Sequence, residues 1–497
     1  MNKIVSMADN STVYDVAKVT PLSIAVQISE RFGNQIYLKR EDEQSIHSFK
    51  LRGAYQKMSS LSDAQKIKGV VASSAGNHAQ GVALAAKKLK IRAVIVMPIS
   101  TPKIKVQAVQ QLGAEVILHG DVYDDAFQHA NKLCSEQDLN FIHPYDDIDV
   151  IAGQATVAKE ILSQLEDVDL VFVPVGGGGL ISGIASYIKH YAPKVKVIGV
   201  EPMDSATLHN ALEGNERVVL EDVGRFADGV AVKQIGELPF EIAKQCVDDV
   251  VLVSNDEMCA AIKDIYEDVR AVSEPAGALA TAGVKKYILE HELKGKNIVS
   301  VVSGANVNFD RLRYIAERAD LGELTEAIMA VTIPEEPGSF LRFCELLDNH
   351  SVTEFNYRYS PNDEAHIFVG IEISSGDGEK QALIEKLRKS FEVLDMSDNS
   401  MAKTHIRYMV GGHANAENEV IYRFEFPERP GALLNFLRKI KTKWNISLFH
   451  YRNHGADFGR VLIGLQADNV AELEARFDEL GYYYKNETDN KAYQYFL

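Results

Sequence analysis

Leu170-Val-Phe-Val-Pro-Val-Gly-Gly-Gly-Gly-Leu-Ile-Ser-Gly-Ile184 decides how this chain is read. An apolar run of strand length stops in four adjacent glycines, Gly176, Gly177, Gly178 and Gly179, and a helix is predicted from Leu180 onward. Glycine lets a backbone approach a ligand closely, and the free N–H groups and positive end of a helix favour a dianion. The loop misses the G-x-G-x-x-G register of a dinucleotide site and lacks the Gly-Lys-Ser/Thr ending of a P-loop. A small phosphorylated cofactor is the reading that remains, with a merely tight turn as the alternative.

Outward from this loop, short apolar strands alternate with helical stretches from about residue 35 to 320, the pattern of an α/β protein with doubly wound parallel sheets. Strands are expected at Ile36–Lys39, Val70–Ser73, Ala93–Met97, Val116–Leu118, Leu170–Val175, Val197–Val200, Val250–Val253 and Ile298–Val302. Thr101-Pro102 predicts a cap and a first-turn proline before Ile104, Val106, Val109 and Leu112, with Gly113 ending that helix. Ser254-Asn255 predicts the cap of a helix carrying Met258, Ala261, Ile262 and Ile265.

Beyond about residue 321 a repeat begins. Ile333-Pro-Glu-Glu-Pro-Gly338 returns as Phe426-Pro-Glu-Arg-Pro-Gly431, an offset of 93. Phe355-Asn-Tyr-Arg358 returns as Phe449-His-Tyr-Arg452, and Val369-Gly370 as Ile463-Gly464, both at an offset of 94. Each unit reads strand, Pro-Gly turn, helix, strand, strand, helix, strand, so the tail is an internal duplication. A plain oligomerisation module is the alternative to a regulatory role.

With 497 residues, two or three domains are expected. A net charge of −17 without a Lys/Arg block argues against nucleic acid and against an anionic membrane surface. Cys134, Cys246, Cys259 and Cys344 form no C-x-x-C pair, so neither a disulfide framework nor a metal site is expected. Asp9 interrupts the short Ile4-Val5 stretch, and no apolar run approaches the roughly 20 residues that span a bilayer; a cytoplasmic protein is expected.

Three more segments fall where strands end, as the glycine loop does, and open α/β sheets bind ligands there. Ser45-Ile-His-Ser-Phe-Lys-Leu-Arg-Gly-Ala54 offers Lys50, with Arg52 as a neighbouring cation and an apolar setting that would both lower its pKa. A neutral amine is what Schiff-base chemistry requires, although a lysine opening a helix is commonly just solvated. Ala72-Ser-Ser-Ala-Gly-Asn-His-Ala-Gln-Gly81 offers the amide of Asn77 beside small residues that admit a planar ligand; His78 reads first as an ordinary helix-opening histidine. Val301-Val-Ser-Gly-Ala-Asn306 offers the Ser303 hydroxyl, or a cap for a helix beginning near Asn308.

Together Ser48-Phe-Lys-Leu-Arg-Gly-Ala54, Ser74-Ala-Gly-Asn-His-Ala-Gln-Gly81, Gly176–Leu180 and Ser303-Gly-Ala-Asn306 resemble the motifs of the threonine dehydratases, pyridoxal-phosphate enzymes of fold type II (tryptophan synthase β-like). The resemblance covers essentially the whole chain, because the duplicated tail resembles the two α+β ACT-like domains of the biosynthetic, isoleucine-inhibited form. It implies a catalytic domain over 1–320 and ACT-like domains over 325–399 and 419–490. It implies further that Lys50 forms the imine with pyridoxal 5′-phosphate and acts as the base at Cα, and that Asn77 bonds the ring hydroxyl. Gly176 to Gly179 and Leu180 would hold the phosphate, Ser303 would face the pyridine nitrogen, and Ser74, Gly76 and His78 would receive the substrate carboxylate. L-threonine would be the substrate and L-serine a poorer one, with isoleucine as inhibitor, valine as a possible activator, and a homotetramer as the assembly. Phe355, Tyr357, Phe449 and Tyr451 are candidates for effector contact.

The competing readings are a serine/threonine dehydratase or racemase of the same fold, and an amino-acid sensor without catalysis. Serine racemase is similar to a Ser-Ser-Gly-Asn pattern where this chain has Ser74-Ala-Gly-Asn77, and Ala75 has no hydroxyl to deliver a proton from the second face. The retained Lys50, Asn77 and Ser303 count against the sensor.

Overall fold

Runs of valine and isoleucine bounded by glycine and polar residues fit a pleated surface buried on both faces, and such strands pair in parallel beneath helices. The computed structural model describes residues 1–323, 325–334, 342–343, 346–347, 350, 352–357, 364–374, 376–408, 418–427, 444–452 and 458–496. The chain divides into two compact units, Met1–Phe309 and Asp310–Leu497.

The strands of the first unit are β1 (Leu22–Ile24), β2 (Gln35–Arg40), β3 (Val70–Ser73), β4 (Ala93–Met97), β5 (Glu115–Leu118), β6 (Asn140–Phe141), β7 (Leu170–Pro174), β8 (Lys196–Pro202), β9 (Asp249–Val253) and β10 (Asn297–Val302). One sheet has the order β1-β2-β10-β7-β8-β9, with β1 antiparallel and the others parallel. The other has the order β5-β4-β3-β6 and is parallel throughout. Every strand expected from the sequence is present. The additional β1 and β6 have three and two residues, too few to show a periodicity. Each sheet carries its own apolar core, one around Val171, Val173, Ile184 and Val299, the other around Val70, Ile95, Val82 and Ala86.

The helix after β4 begins at Lys103 with Pro102 as its cap, so the expected first-turn proline sits one position earlier than predicted. The cause is a turn closed by Thr101 N to Pro98 O at 3.1 Å, which commits Thr101 to the loop. The Ser254 cap is present as predicted: its hydroxyl accepts from Glu257 N and Glu257 accepts from Ser254 N.

A cluster of charge is buried where the helix Lys50–Ser59 meets the helix Ile148–Gln164. Arg52, 0 % exposed, donates to Glu41 at 2.7 and 2.8 Å and to Glu160 at 2.7 Å. Lys39 donates to the same Glu160 at 2.6 Å and to Thr20 O at 2.7 Å. Two cations thus balance two carboxylates in a buried region, so each charge depends on the others.

The second unit repeats one topology. Its strands are β11 (Glu326–Pro334), β12 (Val352–Tyr357), β13 (Glu364–Glu372), β14 (Glu392–Asp395), β15 (Glu419–Pro427), β16 (Asn445–Arg452), β17 (Phe458–Gln466) and β18 (Tyr483–Asn486). They form two antiparallel sheets, β12-β13-β11-β14 and β16-β17-β15-β18. A register irregularity between Val352 and Glu354 recurs between Ile446 and Leu448, so even the defect is duplicated. Strand alternation divides the packing. Ala327, Met329 and Val331 face the first repeat's own helix core, while Ile328 and Ala330 join Phe368, Ile421 and Leu462 in a core shared by both repeats. The C-terminal helix Lys491–Phe496 closes that shared core: Phe496 meets Phe368 edge-on and the Tyr495 hydroxyl donates to Glu392 at 2.5 Å. Most of both Pro-Gly turns lies outside the described residues. Phe355 and Tyr357 lie on β12, Phe449 and Tyr451 on β16; their side chains are outside the described residues.

Removing Arg52 would strand two buried carboxylates. Arg52→Ala is expected to lower unfolding free energy by about 3–5 kcal/mol. Denaturant titration checks this, and a loss below about 1 kcal/mol would contradict the cluster's role.

Candidate active site

Lys50 opens its helix, and the loop before it is tied to the end of β10. Phe49 N donates to Ser303 O at 3.2 Å, Ala305 N donates to His47 O at 2.9 Å, and Ser48 bridges Gly304. Two segments some 250 residues apart in sequence are thereby fixed side by side. The Lys50 amine projects into a cleft of about 440 Å³, mouth included, lined by Phe49, Asn77, Tyr145, Gly176 to Gly179, Leu180, Glu274 and Ser303 among others. Its Nζ donates to Pro144 O at 3.1 Å. Burial lowers its pKa to about 8, against the pull of the Glu274 carboxylate, which favours the charged form.

Arg52 is not a cause of this shift, which corrects the expectation from sequence. Two residues on a helix are about 200° apart, so Arg52 faces away from the cleft and is neutralised by Glu41 and Glu160.

The glycine loop joins β7 to the helix Gly179–Tyr191. Gly178 has φ +88°, a conformation that side chains rarely tolerate. A Cβ on Gly177 would lie 2.2 Å from the Tyr145 ring, so the loop is pressed against that ring with its backbone left to line the cleft. The N–H groups of the helix's first turn have no carbonyl within the helix to receive them. A cradle of bare backbone at a positive helix end suits a phosphate dianion.

Asn77 opens the helix Asn77–Leu89, and its amide orientation is set from both sides. Asn306 Nδ2 donates to Asn77 Oδ1 at 2.7 Å, and Asn77 Nδ2 donates to Glu274 at 2.6 Å. The second Nδ2 hydrogen therefore remains as a donor for a ligand oxygen. Ser303 is buried, and its hydroxyl donates to Ala276 O at 3.2 Å; the next helix in the chain begins at Arg311 with Asp310 at its cap position, so Ser303 does not cap it.

Ser74, Gly76 and His78 do not line this cleft. The Ser74 hydroxyl accepts from Gly76 N at 3.2 Å. His78 is buried with Nε2 donating to Ile142 O at 2.8 Å, and burial, reinforced by the Lys50 charge, lowers its pKa to about 3. It offers no cation to a carboxylate. What that loop retains is the unpaired N–H groups of the helix's first turn.

Sequence reading missed Glu274 and Tyr145. Ser273-Glu-Pro-Ala-Gly277 reads only as a helix start, and the helix does begin at Pro275. Nothing in its spacing announces a contact with Asn77, 197 residues away. Among the described residues no group of three or more His, Cys, Asp or Glu could hold a metal ion, and no helix is long and apolar enough to cross a membrane. The side-chain-free cradle of Gly176 to Leu180, the lowered Lys50 amine and the polar groups of Asn77 and Ser303 share one cleft, and their chemistry fits pyridoxal phosphate.

A lysine whose pKa is about 8 is half neutral at that pH, more than two units below a solvated one. Titration of Lys50 by NMR of the ¹³C-methylated amine, in protein freed of ligands, is expected to give a midpoint near 8. Glu274→Gln should move it lower, because the charge that stabilises the ammonium is gone. A midpoint near 10.5 would contradict the geometry.

Comparisons with known proteins bear on the family. The pyridoxal-phosphate dependent enzyme family matches residues 13–304, and the C-terminal regulatory domain of threonine dehydratase matches 317–406 and 410–497. The chain is 54% identical over 494 residues to a biosynthetic L-threonine dehydratase of Pasteurella multocida, covering 98% of this chain and 96% of that one. Threonine deaminase isoform 2 of Solanum lycopersicum superposes with TM-score 0.64 at 48% identity, over 64% of this chain and 88% of that chain. Serine racemase of Dictyostelium discoideum gives TM-score 0.57 at 31% identity, over 62% and 98%. With a fold type II catalytic unit followed by a duplicated regulatory unit, the chain belongs to the biosynthetic L-threonine dehydratase family of pyridoxal-phosphate enzymes.

Proposed function

We propose that this protein is an L-threonine ammonia-lyase, converting L-threonine to 2-oxobutanoate and ammonia by β-elimination as the first step of isoleucine biosynthesis. The observation that carries the proposal is the Lys50 amine, its pKa lowered to about 8, in one cleft with the glycine loop, Asn77 and Ser303. Pyridoxal phosphate, when bound, supplies the electron withdrawal that acidifies the substrate's Cα–H. Lys50 would hold the cofactor through its amine and, when that amine is free, would take the Cα proton. An amine with a pKa near 8 is neutral often enough to be that base and basic enough to hold the proton. The glycine loop and the first turn of Gly179–Tyr191 anchor the phosphate. Asn77 donates to the ring oxygen in the orientation that Asn306 and Glu274 impose.

Ser303 would offer the ring nitrogen a neutral hydroxyl, which could not keep a proton there as a carboxylate would. That limits electron withdrawal into the ring and favours prompt loss of the β-hydroxyl. First-turn amides at Asn77 and His78 receive the substrate carboxylate, with the His78 imidazole acting as a neutral structural group. Ala75 gives no proton donor on the opposite face, which favours elimination over the racemase reading. The β-methyl is worth only about 1–3 kcal/mol in an apolar pocket, so L-serine is a poorer substrate.

The duplicated tail is the isoleucine sensor, with domains over 325–399 and 419–490 following a catalytic domain over 1–320. Valine is an activator, Phe355, Tyr357, Phe449 and Tyr451 are effector contacts, and the working assembly is a cytoplasmic homotetramer. The core shared by the repeats supports coupled behaviour, since a shift in one sheet must be accommodated by the other.

A coupled assay of 2-oxobutanoate release is expected to show turnover of threonine above serine, abolished in Lys50→Ala. A chain ending at about Leu321 is expected to keep turnover and lose inhibition by isoleucine. Equal inhibition of the truncated form would place the effector site in the catalytic unit.

A further inference from the structure

A buried carboxylate behind the glycine loop is used by nothing in the reaction described above. Glu201, on β8, is 0 % exposed. Its Oε1 accepts from Leu208 N at 2.8 Å and from the Thr207 hydroxyl at 3.0 Å, and its Oε2 accepts from His209 N at 2.8 Å. It thereby closes the first turn of the helix Thr207–Gly214. The Thr207 hydroxyl has a second acceptor within reach, the carbonyl of Gly176 at 3.3 Å, in the first residue of the phosphate loop. One hydroxyl carries one proton, so it cannot serve both acceptors at once.

We propose that Glu201 and Thr207 form a switchable brace that sets the orientation of the Gly176–Gly177 peptide and with it the grip on the cofactor phosphate. A trans peptide sends its N–H opposite its C=O. Holding the Gly176 carbonyl toward Thr207 therefore fixes the direction of the Gly177 N–H, and both residues line the cleft. When Glu201 is protonated, its own O–H can donate to Thr207 Oγ1, and the Thr207 proton goes to Gly176. When Glu201 is ionised, the carboxylate claims the Thr207 proton, because a charged acceptor outcompetes a neutral one, and the Gly176 carbonyl is released. Both residues are positioning residues, since they act on the ligand through the loop.

The exchange falls in an accessible range. Burial pushes the Glu201 carboxyl up to about 7, against the hydrogen bonds it accepts from Leu208, His209 and Thr207. The ionisable side chains on the elements packed against β8 are engaged elsewhere. Lys189 pairs with Asp248, Lys285 with Asp264, Lys286 reaches Leu252 O, and His209 faces Glu213. Tyr187 and Tyr191 bond Asp9, and Tyr287 stacks on His291. Asp204 on the following turn, Asp249 on β9, and His190 and Glu290 on the flanking helices are exposed.

The proposal rests on the glycine loop being the phosphate site, and the test separates the two. The probe is pyridoxine 5′-phosphate, which carries the phosphate arm but no aldehyde, so the titration of Lys50 in forming a covalent link drops out. Its dissociation constant is measured by fluorescence at about pH 6 and about pH 8 for the full chain and for Thr207→Val and Thr207→Ser. Ionisation of the probe affects all forms alike and cancels in the ratio to wild type. Thr207→Val should bind about 3- to 10-fold more weakly than wild type at pH 6, the effect of one hydrogen bond, and equally at pH 8. Thr207→Ser, which keeps the hydroxyl, should match wild type at both. A ratio of one at pH 6, a ratio unchanged between the two pH values, or a serine variant as weak as the valine variant would overturn the brace. Should the valine variant not fold, Glu201→Gln carries the test. It should match wild type at pH 6 and bind several-fold more tightly at pH 8, and parity at both would overturn the proposal. Failure of wild type to bind the probe at either pH would sink the phosphate-site reading itself, and the brace with it.

Discussion

A primary amine that has to be neutral near physiological pH must be taken out of water, and the rest of the catalytic unit is arranged around that requirement. Lys50 sits where the ends of β3, β7 and β10 converge, and burial is the largest influence on its pKa. The amine is held rather than merely enclosed. Pro144 O accepts from it, and the backbone on either side of Phe49 is bonded to the Ser303 segment. The single carboxylate among the influences on it, Glu274, moderates the effect of burial and also aims the Asn77 amide. One carboxylate thus couples the basicity of the amine to the orientation of the Asn77 amide.

Arg52 shows how a helix separates two kinds of charge. It lies two residues from Lys50, yet it belongs to a closed set with Lys39, Glu41 and Glu160. Burial alone would push Glu41 up, but the guanidinium holds it below the usual carboxylate range. A guanidinium is suited to that place because it stays charged and bonds carboxylates through a fixed fork, whereas a buried ammonium loses its proton more readily unless a carboxylate sits against it, as Glu160 does against Lys39. Lysine facing the cleft and arginine facing the core use that difference.

Much of this was legible in the sequence because it is local. The parallel strands announce themselves by short buried runs of valine and isoleucine, and the glycine loop by composition alone. The repeat was readable from motif spacing, and its duplicated bulge confirms how closely the two halves correspond. The cap at Pro102 was misplaced by one residue because a turn reaching back to Pro98 competed for Thr101. Glu274 and Tyr145 were invisible for a different reason. Their partners, Asn77 for the first and Gly177 for the second, are distant in sequence, and only the folded chain brings them together. His78 reads in the sequence as an ordinary helix-opening histidine, and in the fold it is buried with its proton committed to Ile142 O.

The proposed chemistry turns on one amine: Lys50 would hold pyridoxal phosphate through its aldehyde, with the glycine loop holding the phosphate. Reduction of the holoprotein with borohydride followed by peptide mapping measures this directly. The account predicts a single phosphopyridoxyl group on the peptide containing Lys50; a label on another lysine, or a protein that takes up no label, would contradict it.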